Sequence, residues 1–187
     1  MSILKAQPDP HTAAAILAGV VAVRRLCDAD SIGDLTALFH RAYAGQVRMG
    51  LRPLAGRQDE SMTRSRITSG ECLVATRGGA IVGAVLLQER EHVAFPPLFL
   101  EPDVAHFSMF AVDPREQGTG IGAALLSAVE QRALETGCTR LAMSVAEPDR
   151  ELVSYYEKRG FGTHSGWSWP YTNYASVIMC KHVDGCS

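Results

Sequence analysis

Three glycines at alternate positions, Gly118, Gly120 and Gly122, separate an apolar run at residues 107–112 from a stretch in which Ile121, Leu125 and Val129 recur at the spacing of one helix face. The run closes on Val112-Asp113-Pro114, where the proline ends a strand and opens a turn. Strand, tight loop and helix therefore follow one another directly, and the rest of the chain has to be arranged around that junction.

The physical use of such a junction is anion capture. Glycines let the backbone approach a ligand closely, and the first amides of the following helix are unpaired donors at the positive end of its dipole. A pyrophosphate fits those donors. The dinucleotide fingerprint is excluded by its own requirements, since it needs a second βα unit with an acidic residue about twenty positions on. Here Glu135 and Thr136 close the same helix, and the chain has no Gly-Lys-Ser/Thr for a nucleotide triphosphate loop.

Read as Gln117-x-x-Gly120-x-Gly122 after Val112-Asp113-Pro114, the segment resembles the pyrophosphate loop of the GNAT acetyltransferase superfamily, Arg/Gln-x-x-Gly-x-Gly/Ala after a strand. A second motif of that family, Tyr-x-x-x-Gly-Phe, is present as Tyr156-Glu157-Lys158-Arg159-Gly160-Phe161, preceded by Tyr155. The resemblance runs over residues 20–183 and is strong at 107–161. It implies an acetyl-CoA co-substrate held by Phe110, Ala111, Val112, Gln117, Gly118, Thr119, Gly120, Ile121 and Gly122. It further implies that the fourth and fifth strands splay apart to admit the pantetheine arm, which pairs with backbone near residues 110–112.

Composition agrees with one globular domain. The chain has 187 residues, 47% hydrophobic and 20% charged, enough for one domain with a real core. The 18 basic against 20 acidic residues argue against a general attraction to nucleic acid or to an anionic membrane. Five scattered cysteines without a Cys-x-x-Cys indicate neither a disulfide framework nor a metal site and read as reduced thiols in a cytoplasm. The apolar run at residues 12–23 is too short to span a bilayer and lacks the basic cluster of a signal peptide. Residues 1–19 therefore read as a leader or accessory segment, and residues 20–187 as a single domain.

Within that domain, a strand at 19–26 precedes a helix carried by Ile32, Leu35, Leu38, Phe39 and Ala42, which is expected to stop before Gly45. Residues 45–58 then read as a loop with Arg48, Arg52 and Arg57, followed by a short helix at 60–68. Strands at 71–76 and 80–88 flank the hairpin turn Arg77-Gly78-Gly79. The proline-stiffened apolar loop at 89–103 suits either a lid over an acceptor pocket or a contact surface for a second copy, which would make a homodimer. Simple alternation along 104–112 puts His106, Ser108, Phe110 and Val112 on one face and Phe107, Met109 and Ala111 on the other. After the helix at 118–135 come a strand at 139–146, a helix opening at Pro148-Asp149 and closing at Gly160, and an antiparallel pair at 162–169 and 174–181. The whole is α/β: a GNAT-like central mixed, mostly antiparallel twisted sheet of about six to seven strands with helices on both faces.

An amine attacking a thioester needs a neutral nucleophile, stabilisation of the tetrahedral oxyanion and a proton for the leaving thiolate. Tyr156 stands where family members often carry the tyrosine that serves the coenzyme A sulfur, and a phenol of ordinary pKa near 10 is protonated at neutral pH. The plainer reading of Tyr156 is an aromatic packed against Phe161; Tyr155 reads as core. His106, six residues before Val112, occupies a strand position where some family members place a catalytic glutamate, and imidazole can take the amine proton directly or through water. It can equally be a hydrogen-bonded structural histidine, with Glu101, Asp103 and His92 as alternatives. Asp149 departs from the asparagine usual in the family and suits a helix cap. By resemblance, Arg48, Arg52 and Arg57 face the acceptor region; Trp167, Trp169, Tyr171 and Tyr174 form an aromatic cluster for core, pocket wall or interface. The function these residues imply is acetyl transfer from acetyl-CoA to a primary amine, a small molecule first and a peptide or protein amine second, with a non-catalytic acyl-CoA sensor as the competing class.

Overall fold

Strands buried on both sides dominate the middle of the chain. In the computed structural model, which describes residues 19–88 and 94–183, β2 (Glu71–Arg77) and β3 (Ala80–Leu87) are nearly continuous apolar runs, as expected where helices cover both faces of a sheet. Residues 1–18 of the expected leader at 1–19, and His92, lie outside the described residues. The remaining strands are β1 (Val21–Arg25), β4 (Val104–Val112), β5 (Arg140–Ala146), β6 (Gly162–Trp167) and β7 (Ser176–His182). They form one seven-stranded sheet in the order β1-β2-β3-β4-β5-β7-β6. Every neighbouring pair is antiparallel except β4 and β5 at the centre, which are parallel.

Among the described residues four α-helices divide between the two faces. α3 (Ile121–Glu135) and α4 (Arg150–Glu157) contribute Ile121, Leu125, Val129, Val153 and Tyr156 to a core with Leu73, Phe107 and Met143. α1 (Ile32–Arg48) and α2 (Glu60–Thr68) bury Leu35, Leu38, Phe39 and Ile67 against Cys72, Val74, Ala84 and Leu86 on the opposite face. A third cluster joins Phe99 and Trp169 to Val104, Ala142 and Ile178. Because Leu141 and Met143 belong to the α3/α4 core and Ala142 to this cluster, strand alternation puts the third cluster on the α1/α2 face.

α1 does not stop before Gly45. It starts at a Ser31 cap, whose side chain accepts from the Asp34 amide at 3.1 Å, and continues through Gly45 to Arg48. A mid-helix glycine costs about 1 kcal/mol against alanine. Tertiary structure offsets this: Gln46, one residue on, is buried and its Nε2 donates to Asp149 Oδ2 at 2.9 Å.

Simple alternation also fails along β4. Ala111 pairs with Ala84 but Ser108 with Leu86, so Met109 and Phe110 together oppose the single residue Val85. Such a bulge inserts one residue and reverses the pleat beyond it; here Met109 takes φ 51°, a left-handed value rare for a side chain of its size. Phe110 and Val112 consequently pack on the α3/α4 face with Phe107, and Met109 and Ala111 on the α1/α2 face. Parallel pairing of β4 with β5 ends at Phe107–Met143, although β4 continues to Val112 and β5 to Ala146. Past that point the central strands part.

Candidate active site

The parted strands are the walls of a cleft of about 890 Å³, lined on one side by residues 108–112 of β4 and on the other by residues 143–146 of β5. Backbone donors and acceptors that a neighbouring strand would otherwise pair with therefore face a space, and an extended amide-bearing chain can pair with them.

At one mouth stands the glycine loop. Asp113 fixes its base: the carboxylate is nearly fully buried, accepts from the Arg115 amide at 3.0 Å and from both guanidinium groups of Arg115 and Arg41, and the Asp113 amide donates to Val82 O. The hydrogen bonds of Arg115, joined by that of Arg41, hold its carboxyl well below the usual carboxylate range. Arg77 at the end of β2 pairs with Glu116 and reaches Thr119 Oγ1 at 3.4 Å. Gly120 has φ 89°, the turn that aims the chain into α3, and a Cβ added there would meet open space. At Gly122 the need is close approach, since an added Cβ would lie 3.0 Å from the Tyr155 hydroxyl. Gln117, Gly118, Gly120 and Gly122 line the cleft beside Phe110, Ala111 and Val112. Thr119 and Ile121 do not: the Thr119 hydroxyl donates to Glu116 O at 2.7 Å, and Ile121 is buried in the α3 core. Their backbone amides remain the parts of these residues that a pyrophosphate could use. The unpaired first amides of α3, the open side of Gly120 and the unpaired edge of β4 together fit a coenzyme A donor.

Tyr156 lines the cleft from α4 and is only 3% exposed, with rings of Tyr155, Phe161, Phe107 and Phe110 at 5.2, 5.6, 6.2 and 6.2 Å. Burial pushes its phenol well above the ordinary pKa of 10, so it stays protonated throughout the neutral range. Tyr155, half-buried, also lines the cleft, and Arg159 stacks over its ring at 3.4 Å. Asp149 caps α4 through the Leu152 amide (3.1 Å) while binding Gln46, so it ties the donor-side helix to α1.

His106 lines the same cleft from the other face of the sheet. Its ring is stacked on Phe99 at 4.7 Å with 3° between planes and tilted against Phe95 at 5.3 Å. Of its alternatives, Glu101 and Asp103 both pair with Arg140 and neither lines the cleft. Nor do Arg48, Arg52 and Arg57. Arg48 ends α1, and the Arg57 guanidinium donates to Tyr171 O at 2.6 Å. Asn173 bridges the same two loops, accepting from the Arg52 amide at 2.7 Å and donating to Gly50 O at 3.0 Å. The cation that does line the cleft on this face is Arg66 of α2, which carried no motif in the sequence. A pattern of buried polar partners singles it out only in three dimensions. Trp169, Tyr171 and Tyr174 also line it, and burial pushes the Tyr174 phenol up to about 12.

An open sheet that splits at its parallel pair beside a glycine anion loop is the architecture of a coenzyme A-dependent acyltransferase. A sequence profile described as the acetyltransferase (GNAT) family matches residues 36–161, and the chain belongs to that family. It is an acetyl-CoA-dependent N-acetyltransferase. It is similar to S-(2-succino)cysteine N-acetyltransferase of Bacillus subtilis (strain 168), 29% identical over 139 residues that cover 72% of this chain and 78% of the relative. Among solved structures, the ribosomal-protein-S18-alanine N-acetyltransferase of Escherichia coli shares the fold at TM-score 0.65 and 17% identity, over 90% of this chain and 97% of that one. A GNAT family acetyltransferase of Elizabethkingia anophelis with acetyl-CoA bound matches at TM-score 0.59 and 15% identity, over 87% and 97%. Among the described residues no helix is long and apolar enough to cross a membrane.

Proposed function

We propose that the protein acetylates the primary amine of a small molecule in a ternary complex, with the donor entering from the α3/α4 face and the acceptor from the α1/α2 face. The observation that carries this reading is the position of Tyr156 and His106 in one cleft on opposite faces of the sheet. Acetyl-CoA supplies an acyl group already activated as a thioester. The amine nitrogen attacks the carbonyl carbon, a C–N bond forms, the C–S bond breaks, and coenzyme A leaves as a thiol. On this reading the amides of residues 117–122 hold the pyrophosphate, and Phe110, Ala111 and Val112 offer backbone to the pantetheine arm. His106 takes the amine proton directly or through water, and the phenol of Tyr156 donates to the departing sulfur.

Support for a small acceptor over a peptide comes from the α1–α2 loop. It is bonded to the β6–β7 loop through Arg52, Arg57 and Gly50, and residues of both loops line the cleft, which narrows the room for a long chain on this side. The named relative acts on a cysteine derivative, in keeping with this reading. The test is thiol release from acetyl-CoA against a panel of free amines and of peptides with free N-termini. Turnover confined to peptides would overturn the small-molecule assignment.

A further inference from the structure

The glycine loop is anchored at two points. Asp113, with Arg41 and Arg115, fixes its start. Past residue 116 no helix or strand forms until α3 opens at Ile121, and Gly118 and Gly120 take φ 78° and 89°. Glycines lose the most entropy on ordering, so a loop that must present its amides to a ligand needs support from outside itself.

Arg77 is the second anchor. It is the last residue of β2 and pairs with Val21 on one side and Ala80 on the other, so its side chain extends from a fixed base. Its guanidinium pairs with the Glu116 carboxylate, and Nη2 donates to Thr119 Oγ1 at 3.4 Å, while the Thr119 hydroxyl donates to Glu116 O at 2.7 Å. One side chain thereby grips the loop on both sides of Gly118. The paired side chains are 26% and 24% exposed, and Arg77 Nε is buried with no partner among the described residues. A buried donor without a partner is uncommon; here the loop contacts decide where the guanidinium sits. A carboxylate beside an anion site repels the ligand, so Glu116 serves the loop as a handle and not as an attraction.

We infer that Arg77 is a positioning residue for the donor: by holding Glu116 and Thr119 it fixes the glycine loop, before acetyl-CoA arrives, in the shape that receives the pyrophosphate. Binding is then spared the cost of ordering the loop. The inference rests on the donor-site reading above.

The experiment measures dissociation constants of acetyl-CoA and of S-acetylpantetheine, which lacks the pyrophosphate and the nucleotide. The proteins are the parent, Arg77→Met, Glu116→Ala and the double variant, each with a melting curve to establish folding. The parent should bind acetyl-CoA at least about 100-fold more tightly than S-acetylpantetheine. Each single variant and the double variant should loosen acetyl-CoA about 10-fold, the scale of a hydrogen bond to a charged group, and leave S-acetylpantetheine within about 2-fold. Charge alone predicts the opposite pattern: Glu116→Ala, having lost a negative charge, would tighten acetyl-CoA, and the double variant, with the parent's net charge, would return to the parent's affinity. Either of those results, unchanged acetyl-CoA affinity in the single variants, or equal loosening of both donors would overturn the inference alone. Should Arg77→Met fail to fold, Glu116→Ala decides by the same sign. A parent that binds acetyl-CoA no more tightly than S-acetylpantetheine would instead sink the donor-site reading and this inference with it.

Discussion

Replacing Tyr156 by phenylalanine removes one oxygen from the cleft and leaves the ring. The four neighbouring rings, at 5.2–6.2 Å, touch the part that remains. The phenol has no hydrogen-bond partner among the described residues, so its loss breaks no bond that holds the fold. Removing a buried hydroxyl without a partner is near neutral for stability, and Tm should move by no more than about 2 °C for a chain of this length. The catalytic effect is expected to be much larger. A positioned acid contributes roughly 100-fold or more, so kcat should fall by at least about that factor, about 2.7 kcal/mol of barrier, with acetyl-CoA affinity within about 2-fold. Initial rates of thiol release, a melting curve and a binding titration on the same preparation separate these quantities. If kcat stays within about 3-fold of the parent, Tyr156 is a packing residue and the proton for the sulfur comes from elsewhere.

Three further outcomes follow from the geometry. Asp113→Asn should lower stability by roughly 1–3 kcal/mol, since it weakens pairing to Arg41 and Arg115 whose own side chains are partly or largely exposed. Because the folded-state pKa of Asp113 is depressed, its contribution is present above the unfolded carboxyl pKa near 4 and is lost as pH falls below it; the melting temperature of the parent should therefore decline more steeply below about pH 4 than that of the variant. Gly83→Ala should cost about 1–3 kcal/mol, because the added Cβ would sit 2.9 Å from Leu125 Cδ1 and 3.1 Å from the Ala111 carbonyl, pushing α3 off the sheet; a denaturant melt reads this directly. His106→Asn should lower kcat about 100-fold at neutral pH with acetyl-CoA affinity kept and remove the acid limb of the rate profile, whereas a rate profile of unchanged shape would assign the proton transfer to another group.

The geometry of the glycine loop was legible because backbone chemistry writes itself into sequence. Gly120 stands where φ is positive, Gly122 where a side chain would strike Tyr155, and Asp113 at the buried base of the loop. Phe161, one residue past Gly160, packs back onto Tyr156 as the motif spacing implies. The α1/α2 side of the cleft was not legible, since its lining is set by contacts between distant segments. Arg57 looks like a ligand-facing cation until the Tyr171 carbonyl takes it, and Arg66 looks like a surface residue until Gln58 and Thr63 come under it. Tyr155 reads as core yet half faces the cleft. The bulge at Met109–Phe110 carries no glycine to announce it, so alternation assigns Phe110 and Val112 to the wrong face. Gly45 looks like a helix stop because nothing local shows that Gln46 binds Asp149 across the cleft.

On the proposed mechanism the glycine loop and the parted strands hold the coenzyme A donor. Isothermal titration of the parent with acetyl-CoA, beside Gly120→Glu, tests it most directly. The variant puts a carboxylate on the open side of the loop, where an added Cβ meets nothing, at a strain cost of about 1 kcal/mol for a side chain at positive φ. The parent should bind with micromolar affinity, about 8 kcal/mol, and a folded variant should not bind. A well-folded parent that does not bind, or a variant that binds equally well, would contradict it.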